Sequence, residues 1–321
     1  MRRLFLHVGP PKTGTSAIQQ LFCARPDLPV LYPAIGLWSD GAHHNLVFNF
    51  FDSGARSEIV RADPGAMFAE IAALAAQDER DLLISSEALA TQDAGAFLRG
   101  LLAHLGTRWE AEIIFACREH VEWAASLYNQ SVKDPAWRES RPPGEYLSAT
   151  PARFCLIPML DRLAATGFPL RVLNYHPAGE FVPRFLDAIG VPDAGNLRVG
   201  QANISLRVSG LMAMLEVNRA LNSVEESGQF LDALRGLKGI FASAPFIFDQ
   251  ASLAAAAPAF AEDRARLQER YGVLLPAPDP GLRDDLFFLT QPDFDRIEAR
   301  FCPVGPQAEA VIAALRHHLR N

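Results

Sequence analysis

The stretch HVGPPKTGTS, residues 7–16, decides the fold class. It closes the apolar run RLFLHV at 3–8 and leads into AIQQLF, where Ile18, Leu21 and Phe22 fall on one helical face. An apolar run, a glycine-containing loop and an amphipathic stretch in that order predict a strand–loop–helix turn. Successive backbone N–H groups in such a turn, with the positive end of the following helix, form a concave anion site. Lys12 adds a cation, Thr13, Thr15 and Ser16 add hydroxyls, and Gly14 is expected to let the backbone approach a ligand closely. Phosphate is the anion that suits this chemistry. The competing reading is a tight turn whose lysine points into solvent.

Outward from the loop, strand-like runs recur at 81–86 (DLLISS), 111–117 (AEIIFAC) and 170–175 (LRVLNY), separated by helix-like stretches. The alternation predicts an α/β fold with a central parallel sheet flanked by helices. Ligands of such sheets sit beyond the carboxyl ends of the strands. After about residue 200 the pattern turns mainly helical, with helical spacing at 205–222, 227–238, 250–271 and 306–319. The expected organisation is an α/β core over 1–205 and a helical carboxyl-terminal extension over 206–321, packed on the same domain.

Composition narrows the function classes. A chain of 321 residues with 49% apolar side chains can bury a sizeable core, and its net charge of −7 offers no general basic surface to a nucleic-acid backbone. No nucleic-acid partner is expected. No apolar run is long enough for a signal-peptide core or a membrane span, so a cytoplasmic protein is expected. Cys23, Cys117, Cys155 and Cys302 are scattered without a CxxC pair and read as packed free thiols, with no metal site.

The order Pro11-Lys12-Thr13-Gly14-Thr15-Ser16 differs from the nucleoside-triphosphate loop GxxxxGK[ST], because here the lysine precedes the glycine. A metal-assisted kinase also wants an acid at the carboxyl end of a neighbouring strand, and Asp81 opens its strand instead. The loop resembles the 5′-phosphosulfate loop of sulfotransferases that use 3′-phosphoadenosine 5′-phosphosulfate (PAPS), where Pro-Lys-Thr-Gly-Thr-Thr/Ser follows the first strand. The resemblance implies that Pro11, Lys12, Thr13, Gly14, Thr15 and Ser16 hold the cofactor, that Lys12 approaches the bridging oxygen of the leaving phosphate, and that no metal is required.

A second segment, IIFACREHVEWAASLYNQSVK at 113–133, extends the resemblance. The family carries an arginine at the end of a central strand and a serine eight residues later, both on the 3′-phosphate, and Arg118 and Ser126 match that spacing. Helical geometry puts Val121, Ala125, Tyr128 and Val132 on an apolar stripe and Glu122, Ser126, Asn129 and Lys133 on another face. Arg118 otherwise reads as a surface ion-pair partner. Weaker echoes follow. RVLNY at 171–175 leads to His176 where the family commonly has glutamate, and RVGQANISL at 198–206 stands where the family covers the adenosine, implying Arg198 and Asn203 as cofactor contacts. Ser205 reads equally as the N-cap of the helix running to 222. The resemblance covers mainly residues 1–205.

The resemblance implies in-line transfer of a sulfuryl group to a hydroxyl or amine, which needs a base for the acceptor's proton. Glu87 follows a buried strand at the ligand edge and is the first candidate; His44, beside His43 in SDGAHHNL, is the second. Their plainer readings are a first-turn residue behind a Ser85 or Ser86 N-cap, and exposed loop histidines. Arg138 and Arg141, near Trp137, could form a rim over the acceptor. The acceptor is expected to be a small molecule, a carbohydrate, a lipid headgroup or a peptide tyrosine. An ATP-dependent small-molecule kinase and a non-catalytic nucleotide-binding protein are the alternatives.

Overall fold

A computed structural model describes residues 1–53, 59–175, 181–191, 205–242, 247–276 and 287–319. In chain order the elements are β1 (Arg2–Val8), α1 (Thr15–Ala24), β2 (Val30–Leu31), α2 (His44–Phe50), α3 (Pro64–Ala76), β3 (Asp81–Ser85), α4 (Ala94–Leu105), β4 (Trp109–Cys117), α5 (His120–Lys133) and α6 (Pro143–Ala149). There follow α7 (Ile157–Ala164), β5 (Leu170–Asn174), α8 (Phe181–Ala188), β6 (Ser205–Leu206), α9 (Val208–Ala220), α10 (Val224–Arg235), β7 (Phe241–Ala242), α11 (Gln250–Tyr271), α12 (Gln291–Phe301) and α13 (Ala308–Arg316).

Contacts group the chain into two compact units. The first comprises Met1–Arg118, Leu156–Ala202 and Asp263–Leu275; the second comprises Glu119–Cys155, Asn203–Glu262 and Pro276–Asn321. This interleaving differs from a single cut near 205. Segment 119–155 groups with the carboxyl-terminal helices because α5 packs on α9 and β6. Segment 263–275 groups with the sheet, where the buried Asp263 carboxylate accepts the backbone N–H groups of Leu156 and Ile157 at 2.9 and 3.0 Å.

In the first unit five parallel strands lie in the order β2-β3-β1-β4-β5. Phe5, Leu83 and Ile114 pack with Ile18, Leu21 and Phe22 of α1 and with Phe181 and Phe185 of α8. The alternate residues Leu4, Leu6, Ile84, Ile113 and Phe115 are buried as well, as a parallel sheet covered on both faces requires. Registers pair His7 with Ser85, Val8 with Phe115 and Cys117 with Asn174. The four strands β3, β1, β4 and β5 therefore end together, delivering Glu87, the loop at 9–14, Arg118 and Tyr175 to one edge.

The second unit is mainly helical. Helix α5 is buried on nearly all sides, so the polar face expected from its sequence is largely not a solvent face. Asn129 clamps β6 through both backbone groups of Leu206, at 2.8 and 3.0 Å. Ser205 lies in β6, paired with Ala242 of β7, and does not cap a helix; α9 begins at Val208 behind Arg207. Arg141 is held on Glu139 at 2.7 and 2.9 Å and Arg138 reaches Asn218 O at 3.4 Å, so neither is a loose rim residue. All four cysteines are free thiols. Among the described residues no helix is long and apolar enough to cross a membrane.

Candidate functional site

Backbone chemistry shapes the loop first. Lys12 adopts φ +72°, a left-handed conformation that costs a non-glycine residue about 1–2 kcal/mol. Arg118 Nη1 donates to the Lys12 carbonyl at 3.1 Å, tying the turned peptide to the end of β4. Gly14 has φ +87°, and a Cβ there would stand 2.6 Å from the Tyr175 ring and 2.8 Å from Phe181. Glycine is needed here for the backbone angle and for packing against these rings, a role beside the ligand approach expected from the sequence. Thr13 is fully buried and donates to Pro10 O at 2.8 Å, so its hydroxyl hydrogen closes the loop and is not presented to a ligand. Helix α1 starts behind Gly14 with no side-chain cap and no acid of its own in its first turn.

Thr15 and Gln19, one helical turn apart on α1, both reach Glu87. The Thr15 hydroxyl donates to Oε1, and Gln19 Nε2 donates to Oε2 at 3.3 Å and to Ser85 Oγ at 3.2 Å. His44 Nε2 lies 3.3 Å from Oε2, while its Nδ1 meets Ser86 Oγ at 2.8 Å. Trp38 packs edge-on against the imidazole, with ring centroids 4.9 Å apart. The two candidate bases thus form one carboxylate–imidazole pair, each side chain 14% exposed. The plainer reading of Glu87 holds in position though without a capping bond, and that of the histidines fails. Ser86 stands at the N-cap of the short 3-10 turn Glu87–Ala90, yet its side chain makes no capping bond, and the two histidines begin α2 instead of lying in an exposed loop.

Neighbouring histidines have a different task. His43 Nδ1 accepts the Ser85 N–H at 3.2 Å, which leaves Nε2 to donate to Pro33 O at 2.9 Å; burial pushes its pKa down to about 4. His7 is fully buried beneath the loop, its Nδ1 2.9 Å from Ser85 Oγ, and burial pushes it down to about 3. Both are neutral structural groups near neutral pH.

Arg118 also lies 5.1 Å from the Tyr175 ring, whose backbone N–H donates to Cys117 O at 2.6 Å. Tyr175 and Gln19 belong to the constellation although sequence reasoning passed over them. The available signals were the position of Tyr175 just past a strand end and the i, i+4 relation of Gln19 to Thr15. Pro11 and Lys12 are partly exposed loop residues, and Ser16 is a partly exposed residue of the first turn of α1. Ser126 lies on α5 in the second unit, 5% exposed. His176, Arg198 and Asn203 lie outside the described residues. Asp81 opens β3 and pairs with Arg3 at 2.9 Å, but an acid does follow the carboxyl end of that strand: Glu87. Comparison of the chain with protein-family models, with curated proteins and with solved structures returns no match.

Proposed function

We propose that the chain is a PAPS-dependent sulfotransferase of the P-loop-like α/β class, with Glu87 as the general base and His44 as its partner. The observation that carries the reading is the Glu87–His44 pair joined by Thr15 to the loop that starts α1. The donor set of that loop fits a phosphate: an uncapped helix end, Lys12 and the nearby guanidinium of Arg118. Ser126, Arg198 and Asn203 are assigned to the cofactor by the resemblance alone. A bound PAPS would supply the sulfuryl group and leave as the bisphosphate. Lys12 then meets the negative charge that grows on the leaving oxygen.

Counting lone pairs separates the two candidate bases. An ionised carboxylate offers about four acceptor sites. On Glu87, Thr15 occupies one site of Oε1 and Gln19 one of Oε2, beside which His44 Nε2 lies at 3.3 Å, so Oε1 keeps one site open. His44 Nδ1 is bonded to Ser86 Oγ, and its Nε2 lies 3.3 Å from Glu87 Oε2. Glu87 Oε1 takes the acceptor's proton, and the imidazole orients the carboxylate and stabilises its charge.

One observation favours a second reading. A loop hydroxyl beside a strand-end carboxylate, as Thr15 stands beside Glu87, is also how ATP-using loops hold Mg²⁺. Against an ATP-dependent kinase stand the lysine before the glycine and the imidazole that shares Oε2. Thermal unfolding with adenosine 3′,5′-bisphosphate, with ATP–Mg²⁺ and with neither decides between them, since a ligand at 100 times its Kd stabilises by about 2.7 kcal/mol. Preferential stabilisation by the bisphosphate, followed by transfer to an acceptor panel, is expected. ATP–Mg²⁺ preference overturns the reading in favour of the kinase, and bisphosphate binding without transfer favours a non-catalytic binder.

A further inference from the structure

We propose that Thr15 couples occupancy of the loop to the basicity of the Glu87–His44 pair: an anion on the loop draws the Thr15 hydroxyl hydrogen from Glu87, and the carboxylate, still partly ionised, becomes a stronger base. The inference rests on the anion-loop part of the reading above, not on the identity of the cofactor.

Thr15 has one hydroxyl hydrogen, and it goes to Glu87 Oε1. The same residue is the first of α1, whose own first turn holds no acid and no side-chain cap, so Glu87 is the carboxylate that faces this helix end. An anion seated there and the Glu87 carboxylate therefore compete for a single hydrogen. When the anion wins, Glu87 loses a donor and gains a negative neighbour, and both changes favour the neutral carboxyl.

Gln19 is an independent sign that the neutral form is accommodated. Its Nε2 donates to the charged carboxylate, while its own Oε1 is buried without a partner. Half a turn of that amide replaces the donor facing Glu87 by an acceptor for a carboxyl hydrogen. The other titratable groups around Glu87 do not compete for the proton. His7 of β1 and His43 at the start of α2 are held neutral by burial, burial also raises the Tyr32 phenol, and Lys12 is the cation of the loop.

The experiment is titration calorimetry of the full chain with inorganic pyrophosphate and, separately, adenosine 3′,5′-bisphosphate, in metal-free buffers of different ionisation heat between about pH 6 and 8. Wild type is expected to take up a fraction of a proton, up to roughly half, per anion bound, which leaves ionised Glu87 to act as the base and makes affinity fall by up to about threefold per pH unit. Thr15→Val, nearly isosteric at this buried position, is expected to lose at least half of that uptake, Thr15→Ser to restore it, and Glu87→Gln to abolish it while anions still bind. The ligand's own protons cancel between variants. Uptake that Thr15→Val leaves unchanged, or binding with no uptake, overturns the inference even if the bisphosphate binds. Thr15-dependent uptake with pyrophosphate but no affinity for the bisphosphate supports the inference and sinks the PAPS reading. If neither anion binds, both fall.

Discussion

Two groups of buried polar side chains, one in each unit, are used differently. In the second unit Asn129 closes on both backbone groups of Leu206, Asn218 donates to the carbonyls of Val132 and Glu139, and Ser131 returns to Leu127 O. Each satisfies backbone and has no further use. At the carboxyl edge of the sheet in the first unit, Thr15, Gln19, Ser85, Ser86 and His44 bond to one another and to Glu87, a carboxylate that solvent still reaches. Adjacent histidines show the same contrast: both nitrogens of His43 meet backbone, and both of His44 meet side chains. Side chains bonded to backbone hold a structure; side chains gathered around a reachable carboxylate can pass a proton.

The largest expected effect breaks or confirms this contrast at Glu87. Glu87→Gln keeps the shape and the acceptor for Thr15 and is expected to lower transfer by about two to four powers of ten with little change in melting temperature. If the carboxylate and imidazole act as one unit, Glu87→Gln combined with His44→Gln costs little more than Glu87→Gln alone, the non-additivity expected of groups in contact. Normal transfer by Glu87→Gln with the true acceptor would remove the base assignment. Fully additive losses would separate the pair into two independent residues.

The histidine contrast is sharpened by acid. His43 titrates at about 4 in the folded protein because burial disfavours its charged form, whereas an unfolded histidine titrates near 6.5. Between those values the unfolded chain binds more protons. The stability from His43 is therefore complete above about pH 6.5 and falls as pH drops toward 4, by a few kcal/mol in order of magnitude, with His7 adding in the same direction. Urea denaturation across that range is expected to show a shallower acid slope for His43→Gln than for wild type. An unchanged slope would mean that His43 is not the buried neutral group its hydrogen bonds describe.

In the second unit, Asn129→Ala strips two partners from Leu206 and leaves buried backbone groups unpaired, a loss of about 2–4 kcal/mol in denaturant unfolding. Transfer per folded molecule should be retained. A variant as stable as wild type would show that this asparagine does not hold β6.

Much of this was legible in the sequence, for identifiable reasons. The runs at 3–8, 81–86, 111–117 and 170–175 became β1, β3, β4 and β5 because strands buried on both faces read as continuous apolar stretches. The stretch 250–271 became α11 at the same bounds. Two-residue strands carry no such pattern: β6 exists because Ser205 and Leu206 meet Ala242 and Phe241, a pairing set by tertiary contact. The site was legible as residue types, not as partners. Glu87 and His44 stood out singly, but 43 positions separate them, and it is the start of α2 bonded to the end of β3, His43 N–H to Ser85 O at 2.8 Å, that joins them. Thr13 and Thr15 looked alike in sequence, and the turn of the loop gives one hydroxyl to Pro10 and the other to Glu87.

The smallest expected effect lies at Ser86, and it tests whether His44 supports Glu87 or replaces it. Ser86 is fully buried, so no acceptor reaches its hydroxyl, and its bond to His44 Nδ1 can act only through the imidazole. With that hydroxyl donating to Nδ1, the ring carries its hydrogen on Nε2, directed at Glu87. Ser86→Ala removes one buried hydrogen bond, about 1 kcal/mol, and loosens the ring without touching the carboxylate. If Glu87 takes the proton, the turnover number should fall no more than about tenfold, acceptor KM should hold, and the pH profile should keep its shape while its midpoint moves slightly. If His44 is itself the base, the loss should approach that of His44→Gln, and the profile should follow the histidine. A loss of that size at Ser86 would exchange the roles of the two residues, while leaving the pair at the loop intact.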